Sequence, residues 1–401
     1  MKPLILFFIS VFLSTTLSSQ CGDRYQEVLF DEVNVETVVY STYNNFEMDI
    51  YTPVGDEVTE RPVLILAFGG GFFFGFKESK LMQDLCTDFA KRGYVTASIN
   101  YTLLNNISEL EDSVLTYTVV AEAVADGKGA IRYFRKSHAE GNPYGIDPDQ
   151  IWIGGNSAGA VLALHLAYLD ENDDLPEFLL DIINESGGFE GNRGNDGYSS
   201  KVNGIISLAG GIGIVDWIDE NEDEVAIMIH GDADGTVDFN CNYPFSSAKG
   251  VEATVQLCGS NSISQRAKEI GLPHHFKVLE GYDHVPWQFG ADNIAIYAET
   301  FEFVNDALYG HLYCNISSTS KIGNDPIVLF PNPVRDRLSI KSNNNDMIER
   351  VEIYNTQGQL VNFEKFHSNQ IVMDNLEVNP GIYLVKTFIN GIPKIEKVLF
   401  H

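Results

Sequence analysis

The stretch "IWIGGNSAGAVLALHLA", residues 151–167, decides how the rest of this chain is interpreted. An apolar run typical of a buried strand leads into Gly155-Asn156-Ser157-Ala158-Gly159, and an apolar helical pattern follows. In a tight turn between a strand and a helix, flanking glycines allow close packing and lift the serine hydroxyl above the sheet. G-x-S-x-G alone is a weak signal, but its strand–turn–helix context predicts that Ser157 is a nucleophile.

A serine of this kind needs an acid and then a histidine later in the chain. The strand-like runs "VAIMIHGDADGTVDFN" (225–240) and "FKVLEGYDHVPW" (276–287) supply both residue types at their carboxyl ends. The first run offers three aspartates: Asp232, Asp234 and Asp238. The second run offers His284, which would take the proton of Ser157 while a carboxylate fixes the histidine tautomer.

The other histidines of this region are assigned to other places in the fold. His165 lies in the helix after the serine, and His230 is expected to pack at a strand end. His274 and His275 precede the last strand, so they are predicted at the opposite end of the sheet. The acidic loop after residue 231 lacks the spacing of an EF-hand, and no metal site is predicted.

A second glycine-rich stretch, "LILAFGGGFFFGF" (64–76), ends a strand with three bare glycines and surrounds them with phenylalanines. Glycine lets another group approach the backbone N–H groups closely. The sequence has no G-x-x-x-x-G-K-[ST] motif, which a phosphate-binding loop would need. The remaining partners that such bare N–H groups suit are a packed neighbour and a developing oxyanion. Four aromatic residues beside the glycines or at nearby strand ends are predicted to bind substrate: Phe72, Phe73, Tyr101 and Trp287.

Strand-like and helical patterns alternate along most of the chain. Strands are predicted at 33–41, 45–53, 61–68, 94–101, 150–155, 202–210, 225–231 and 275–281. Helices are predicted near 78–92, 112–138, 158–169, 260–270 and 292–309. Repeated β–α units after two hairpin-like strands favour a mostly parallel sheet that is covered on both faces. Residues 170–201 are expected to form either a partial lid or a solvated loop.

Residues 21–310 resemble the α/β-hydrolase superfamily, in its carboxylesterase and hormone-sensitive-lipase-like branch. The motifs that carry the resemblance are "FGGGF" (68–72), "GNSAG" (155–159), "HGDADGTV" (230–237) and "GYDHV" (281–285). The resemblance implies an α/β-hydrolase fold and a serine ester hydrolase that uses no cofactor.

The resemblance also implies roles for individual residues. The implied triad is Ser157, Asp234 and His284, with Asp232 and Asp238 as less favoured acids. The implied oxyanion-hole N–H groups belong to Gly70, Gly71 and Ala158. The family usually has histidine before the glycines, where this chain has Phe68. That departure puts the rigidity of the loop in question more than the reaction.

The two ends of the chain differ from this pattern. Residues 1–20 are interpreted as a secretory signal peptide, because a lysine precedes an apolar stretch and small polar residues. Residues 311–323 are a predicted linker. Residues 324–401 change to short strands and turns, which predicts a small all-β sandwich domain. From its residues alone, this module could equally be a carbohydrate-binding domain.

The C-terminal module resembles the type A C-terminal sorting domain of the type IX secretion system. The matching stretches are "FPNPVRDRLSI" (330–340), "VEIYNTQGQLV" (351–361) and "NPGIYLVKTFINGIPKIEKVLF" (379–400). The resemblance implies that residues 324–401 bind the secretion machinery and that the protein is extracellular, free or attached to the cell surface.

Charge and cysteine content agree with export. The formal net charge is −30, and residues 324–401 carry 8 Lys+Arg against 9 Asp+Glu, so nearly all the negative charge lies before them. Such a field repels nucleic acid, and no nucleic-acid partner is expected. No segment after the signal peptide is apolar for long enough to span a bilayer.

Of five cysteines, Cys241 and Cys258 are the expected disulfide pair, one further cysteine should be free, and Cys21 could instead carry a lipid.

Three functions are compatible with these motifs. A secreted serine esterase explains all of them, with short-chain or aryl esters, including polysaccharide-linked or polyester-type esters, as the expected substrates. A serine peptidase could use the same triad, but it fits less well because this chain lacks a large gating domain and has the esterase-type glycine loop. A non-catalytic binding or adhesion module would leave the set Ser157, Asp234 and His284 without a purpose.

Overall fold

The structure, a computed structural model, describes residues 21, 23–246, 252–312, 327–330, 337–342, 347–355, 359–374, 378, 381–389 and 392–400. The chain divides into two compact units, Met1–Asn315 and Ile316–His401. The division falls within the predicted linker 311–323. The predicted signal peptide and most of that linker lie outside the described residues.

The first unit is built on one eight-stranded sheet. Its strands are β1 (Val33–Ser41), β2 (Phe46–Pro53), β3 (Arg61–Ala67), β4 (Val95–Ile99), β5 (Ile146–Asn156), β6 (Gly204–Leu208), β8 (Val225–Gly231) and β11 (His274–Leu279). The short strands β7 (Gly211–Ile212), β9 (Cys241–Asn242) and β10 (Leu257–Gly259) form a small separate sheet. The helices are α1 (Lys80–Ala90), α2 (Ser113–Ala139), α3 (Ala158–Tyr168), α4 (Glu177–Glu185), α5 (Ser260–Ile270) and α6 (Asn293–Tyr309).

The large sheet has the order β1-β2-β4-β3-β5-β6-β8-β11. β2 runs antiparallel to both β1 and β4, and every pairing from β4 to β11 is parallel. The central strands read as continuous apolar runs because helices cover both faces of a parallel sheet, and β3, β4, β6 and β8 are buried along their whole length. The carboxyl ends of the parallel strands therefore meet at one edge.

Helix patterning follows burial. α1 buries a stripe of apolar residues (Leu81, Met82, Leu85, Cys86, Phe89 and Ala90) and is otherwise polar. α3 is apolar all round, and all its residues except Ala167 are buried. The carboxylate of Asp112 caps α2 by accepting hydrogen bonds from the N–H groups of Val114 and Leu115. The predicted mostly parallel, doubly covered α/β-hydrolase fold is confirmed.

The second unit is all β. A three-stranded sheet has the order β12-β13-β16 and a four-stranded sheet the order β15-β14-β17-β18, with antiparallel pairings throughout. The strands are β12 (Ile327–Phe330), β13 (Arg337–Ser342), β14 (Ile348–Asn355), β15 (Leu360–Ser368), β16 (Gln370–Asp374), β17 (Gly381–Ile389) and β18 (Ile392–Phe400). Buried side chains from both sheets form one apolar cluster, as expected of a small sandwich.

The cysteines fall into two groups. The predicted Cys241–Cys258 disulfide is present, and it joins the neighbouring strands β9 and β10. Cys86 is free and buried in α1. Cys21 is disulfide-bonded, so its sulfur cannot carry the alternative lipid anchor. None of the described helices is long and apolar enough to cross a membrane.

Candidate active site

Ser157 lies at the sharp turn between β5 and α3. Its backbone has φ 54° and ψ −117°, a conformation that side-chain-bearing residues rarely adopt. A hydrogen bond of 2.8 Å from its N–H to the Leu208 carbonyl oxygen holds the turn against β6. A Cβ on Gly159 would lie 2.1 Å from the Ala67 carbonyl oxygen, so only glycine fits there. The motif thus forms the strained turn that its spacing predicts.

The structure brings Ser157, His284 and Asp234 together. The Ser157 Oγ lies 2.8 Å from Nε2 of His284, and Nδ1 of the same ring lies 2.6 Å from Oδ2 of Asp234. Because Asp234 is an acceptor when ionised, Nδ1 carries a proton and Nε2 faces the serine as an acceptor. Ser157 and Asp234 are buried, and the His284 side chain is 14% exposed.

The acid occupies a site rich in hydrogen-bond donors. Oδ1 of Asp234 accepts the N–H groups of Thr236 at 2.8 Å and Val237 at 2.9 Å. Burial alone would raise the pKa of Asp234, but hydrogen bonds from His230 and His284 outweigh it and hold that pKa well below its usual range. The carboxylate is therefore ionised near pH 7.

The two alternative aspartates serve other contacts. Oδ1 of Asp238 accepts the N–H of Asn240, and Oδ1 of Asp232 accepts the N–H of Gly281. Neither carboxylate has a hydrogen bond to His284 among the described residues. The geometry thus agrees with Asp234 as the acid.

Asp283 joins the loop of the acid to the loop of the base. Its Oδ1 accepts the N–H of its neighbour His284 at 2.7 Å and the N–H of Gly235 at 3.0 Å. One carboxylate thereby fixes the spacing between the turn after β8 and the turn after β11. Sequence reasoning missed this bridge, since an aspartate beside a histidine has many ordinary surface roles.

Three backbone N–H groups beside Ser157 form no hydrogen bond with any described residue: those of Gly70, Gly71 and Ala158. Ala158 is the first residue of α3, where the helix dipole favours negative charge. Gly70 has φ +135°, and a Cβ there would lie 1.8 Å from the Phe74 carbonyl oxygen. The loop therefore requires glycine, and it presents free donors next to the serine.

Aromatic packing braces the glycine loop where the family usually has histidine. The ring of Phe68 stacks on Tyr101 with centroids 4.3 Å apart, and the Tyr101 hydroxyl donates to the Phe68 carbonyl oxygen at 2.6 Å. The ring of Phe72 meets Tyr101 edge-on at 6.0 Å. These contacts give the loop a rigid support without an imidazole.

Asn156 connects the serine turn to the loop that carries His284. Its Oδ1 accepts the indole N–H of Trp287 at 2.9 Å, and its Nδ2 donates to Oε1 of Gln288 at 3.2 Å. Trp287 is buried, so this hydrogen bond is shielded from water. The residue before the nucleophile thus sets the position of the base.

A cavity of about 100 Å³ opens beside Ser157 and Ala158. Along α3 its wall contains Ala158, Val161 and His165, which lie on one face of the helix, and Leu169 follows directly after the helix. Seven positions separate Ala158 from His165, so this helical part of the wall is about 10 Å long at 1.5 Å per residue. The walls are mainly apolar, and α2 also contributes lining residues between Thr116 and Lys128.

Two further segments complete the cavity. The segment 170–201 contains α4, and its residues Leu179, Ile183 and Phe189 line the cavity, so the partial-lid expectation fits better than a solvated loop. The loop closed by the Cys241–Cys258 disulfide contributes another wall. Its lining residues are Pro244, Phe245, Ala253, Val255 and Leu257.

Two polar side chains that line the cavity, those of His165 and Lys128, form hydrogen bonds with backbone groups of its walls. Nδ1 of His165 donates to the Val161 carbonyl oxygen at 2.8 Å, and its Nε2 accepts the N–H of Gly213 at 3.1 Å. Burial lowers the pKa of His165 to about 4, so this ring is neutral near pH 7. Lys128 donates to the Phe189 carbonyl oxygen and thereby holds the loop after α4.

The four predicted substrate-binding aromatics occupy different places. Phe72 lines the cavity, whereas Phe73, Tyr101 and Trp287 are not among its lining residues. Tyr101 and Trp287 support the glycine loop and the His284 loop, because their polar atoms bond to Phe68 and Asn156. Of the four, Phe72 has the position expected of a substrate contact.

Comparison with known families gives one match in each unit. Residues 48–227 match the family model BD-FAE, and residues 328–400 match the secretion system C-terminal sorting domain. The predicted resemblance to hormone-sensitive-lipase-like α/β-hydrolases, with a secretion sorting domain after them, is confirmed.

Individual proteins are also similar to part of this chain. An Arabidopsis thaliana protein named "Probable isoprenylcysteine alpha-carbonyl methylesterase" is 28% identical over 185 residues, which are 46% of this chain and 32% of that protein. The chain thus spans about a third of the length of this curated relative. Thermogutta terrifontis esterase 2 with propionate bound is 25% identical, with a TM-score of 0.48, and the match covers 68% of this chain and 93% of that one. Its apo form is 23% identical with the same coverages and TM-score.

Proposed function

We propose that the chain is a secreted serine carboxylic-ester hydrolase that works through an acyl-enzyme. The observation that carries the proposal is the hydrogen-bonded series Ser157 Oγ, His284 Nε2, His284 Nδ1 and Asp234 Oδ2, with gaps of 2.8 Å and 2.6 Å. The serine end of this series lies in the wall of an apolar cavity, beside free N–H donors. Nucleophile, base, acid and oxyanion donors are the full set that acyl transfer requires.

The reaction has two steps. Ser157 Oγ attacks the ester carbonyl carbon while its proton passes to Nε2 of His284. The carbonyl oxygen becomes an oxyanion, for which Gly70, Gly71 and Ala158 offer N–H donors. The ester C–O bond then breaks, and the alcohol leaves with the proton held by His284. In the second step His284 takes a proton from a water molecule, whose oxygen attacks the acyl carbon. The bond from that carbon to Ser157 Oγ then breaks, His284 returns the proton to Oγ, and the carboxylic acid is released.

A comparison of leaving groups separates the candidate functions. Purified protein should hydrolyse p-nitrophenyl butyrate with an initial burst of p-nitrophenol, the sign of an accumulating acyl-enzyme. It should leave an aminoacyl p-nitroanilide nearly intact. Faster cleavage of the anilide would favour a peptidase, and inertness toward both would favour a non-catalytic binding module. Ser157→Ala is the control for background hydrolysis.

The proposed substrates are short-chain or aryl esters, including those attached to a polysaccharide or polyester. The cavity of about 100 Å³ is smaller than the roughly 300–1,000 Å³ of pockets for drug-sized ligands. Rings of Phe72, Tyr117, Phe189 and Phe245 line it and offer faces to a flat aryl acid. Bulky acyl groups would need these walls to move.

A p-nitrophenyl series from acetate to palmitate tests this preference. We expect the highest kcat/KM at short chains, and Val120→Trp, which adds bulk to the cavity wall on α2, should shift the preference to shorter ones. Val114→Trp, at an exposed position of the same helix, should leave the profile unchanged. Activity that rises steadily to palmitate, with activation at an oil–water interface, would indicate a lipase instead.

A further inference from the structure

His230 lies next to the candidate acid, in a position that the proposed reaction does not use. It is fully buried at the end of β8, four residues before Asp234. Its Nε2 is 3.2 Å from Oδ2 of Asp234, the same oxygen that accepts from His284. A second imidazole thus shares the carboxylate oxygen that holds the base.

We propose that His230 is a positioning residue that fixes the catalytic carboxylate of Asp234 toward His284. This inference rests on the proposed triad, because it concerns how the acid is held. His230 touches neither the substrate nor the serine. It acts through Asp234 alone.

The hydrogen-bond partners of His230 determine its tautomer. Nε2 is 2.9 Å from the Val237 carbonyl oxygen, which can only accept, so Nε2 carries a proton. Nδ1 is then the acceptor, and it faces Oγ of Ser260 at 2.9 Å and the Ser260 N–H at 3.4 Å. The Nε2 proton is therefore shared between the Val237 carbonyl oxygen and Oδ2 of Asp234. The ring is held from both sides in the tautomer that donates to the acid.

The result is a carboxylate with a donor for each of its lone pairs. The N–H groups of Thr236 and Val237 occupy Oδ1, and the rings of His230 and His284 occupy Oδ2. Without His230, the charge on Oδ2 would have one partner fewer and the group could rotate about its Cβ–Cγ bond. Both changes reach His284, which depends on this oxygen for its orientation.

Two other carboxylates, those of Asp283 and Asp232, lie near His284 and contribute to the pH dependence of the wild type and the variants alike. Asp283 accepts the N–H groups of His284 and Gly235, and Asp232 accepts the N–H of Gly281. Both carboxylates bind backbone groups and are left intact by any change at His230. A shift in pH dependence on replacing His230 is therefore assigned to Asp234.

Two variants separate the donor from the volume of the ring. His230→Leu fills the site without a donor, whereas His230→Gln can place an amide N–H near the position of Nε2. In His230→Leu we expect kcat/KM at its plateau to fall about tenfold or more, as when an outer hydrogen-bond partner of a functional residue is removed. The acid limb of kcat/KM should move to higher pH, because the less-shared charge of Asp234 then interacts more strongly with the protonated ring of His284. His230→Gln should restore most of the rate and the midpoint of the acid limb.

His274 provides a matched control. Its ring pairs with the Ser264 hydroxyl at 3.1 Å and with the Leu272 carbonyl oxygen at 3.0 Å, the same kinds of partner that His230 has. It lies at the start of β11 and has no hydrogen bond to Asp234. His274→Leu should leave kcat/KM and its acid limb unchanged.

The outcomes distinguish this inference from the proposed function. If His230→Leu keeps a wild-type rate and acid limb, or if it lowers rate and thermal stability together with an unmoved midpoint and no rescue by His230→Gln, His230 has only a structural role. Should His230→Leu fail to fold, Ser260→Ala removes one support of the tautomer and should still lower kcat, by about threefold. Full activity in Ser157→Ala would instead overturn the proposed function itself.

Discussion

Histidines lie at both ends of the strand pair β8 and β11, and the histidines at the two ends have different hydrogen-bond partners. At the carboxyl edge, His230 and His284 both face the carboxylate of Asp234. At the amino edge, Nε2 of His275 lies 2.9 Å from Nε2 of His311, and no described carboxylate forms an ion pair with either ring. The same residue type is therefore paired with an anion at one edge and with another imidazole at the other.

The difference shows that the partner, more than the residue, decides what a histidine can do. A carboxylate stabilises the protonated ring that forms when His284 takes a proton. At the amino edge, burial lowers the pKa of His275 and of His311, and the neighbouring histidines lower both further. Those rings resist protonation, which suits packing and not proton transfer.

The largest expected effect comes from breaking the carboxyl-edge set. Ser157→Ala, His284→Ala and Asp234→Asn should each lower kcat by about 10⁴-fold or more, with residual turnover from the oxyanion donors. Steady-state hydrolysis of p-nitrophenyl butyrate measures this loss. Asp238→Asn is the matched control, because its carboxylate binds Asn240 and Asn242 in its own loop. A crippled Asp238→Asn beside a near-normal Asp234→Asn would mean that the acid is wrongly assigned.

A smaller effect is expected from loosening the support of that edge. Trp287→Phe removes the hydrogen bond to Oδ1 of Asn156 and leaves this buried acceptor unpaired. Since one such bond contributes about 1 kcal/mol, we expect kcat to fall about threefold to tenfold with KM unchanged. Tyr168→Phe also removes one buried hydrogen bond, to the Glu224 carbonyl oxygen at the far end of α3, and should change stability only. An equal loss of kcat in both variants would rule out a specific role for Trp287.

The amino-edge pair should affect stability and leave turnover alone. Because the pKa values of His275 and His311 are lower in the folded protein, the unfolded chain binds more protons below about pH 6.5. Their contribution is therefore fully present above that pH and is lost as the pH falls. The double variant His275→Gln/His311→Gln should lose less Tm between pH 8 and pH 5 than the wild type, by about 2–4 °C for each kcal/mol of linked stability.

Tryptophan fluorescence measures the thermal unfolding of the first unit alone, since all three tryptophans (Trp152, Trp217 and Trp287) lie in that unit. The variant should keep part of the acid sensitivity, because burial lowers the pKa of His165 to about 4 as well. Identical pH profiles of Tm in the variant and the wild type would contradict this prediction. They would mean that His275 and His311 bind the same number of protons in the folded as in the unfolded chain.

The smallest effect on hydrolysis is expected far from both edges. Deleting residues 324–401 should change kcat/KM on soluble esters by less than about twofold, because every proposed catalytic and lining residue lies before residue 290. Export from a native host should stop, as the match to a secretion sorting domain implies. Lost hydrolysis in the purified truncated protein would place part of the second unit in the catalytic machinery.

Most of the first unit could be predicted from its sequence. Strands buried on both faces are mostly apolar, so "RPVLILA" and "VAIMIHG" predict the buried strands β3 and β8. The serine turn was predictable because its glycines meet backbone atoms of a neighbouring strand. The two histidine edges also followed from position, since residues before and after one strand must lie at its opposite ends.

The missed features depend on tertiary contacts. α4 has buried Leu179 and Ile183 at helical spacing, a signal that the glycine- and asparagine-rich residues after it obscured. His230 was placed correctly at a strand end, but its contact with Asp234 is created by the turn through Thr236 and Val237. Tyr101 and Trp287 lie close to the site as expected, yet one hydrogen bond each turns them toward the loops.

The Cys241–Cys258 disulfide determines when one wall of the cavity becomes fixed, as well as what shape that wall has. Five cavity-lining residues lie within the loop that it closes. Thiols stay reduced in the cytosol and oxidise after export, so this wall is clamped only once the chain has left the cell interior. For the secreted ester hydrolase proposed above, the binding wall would therefore become fixed during export and not before.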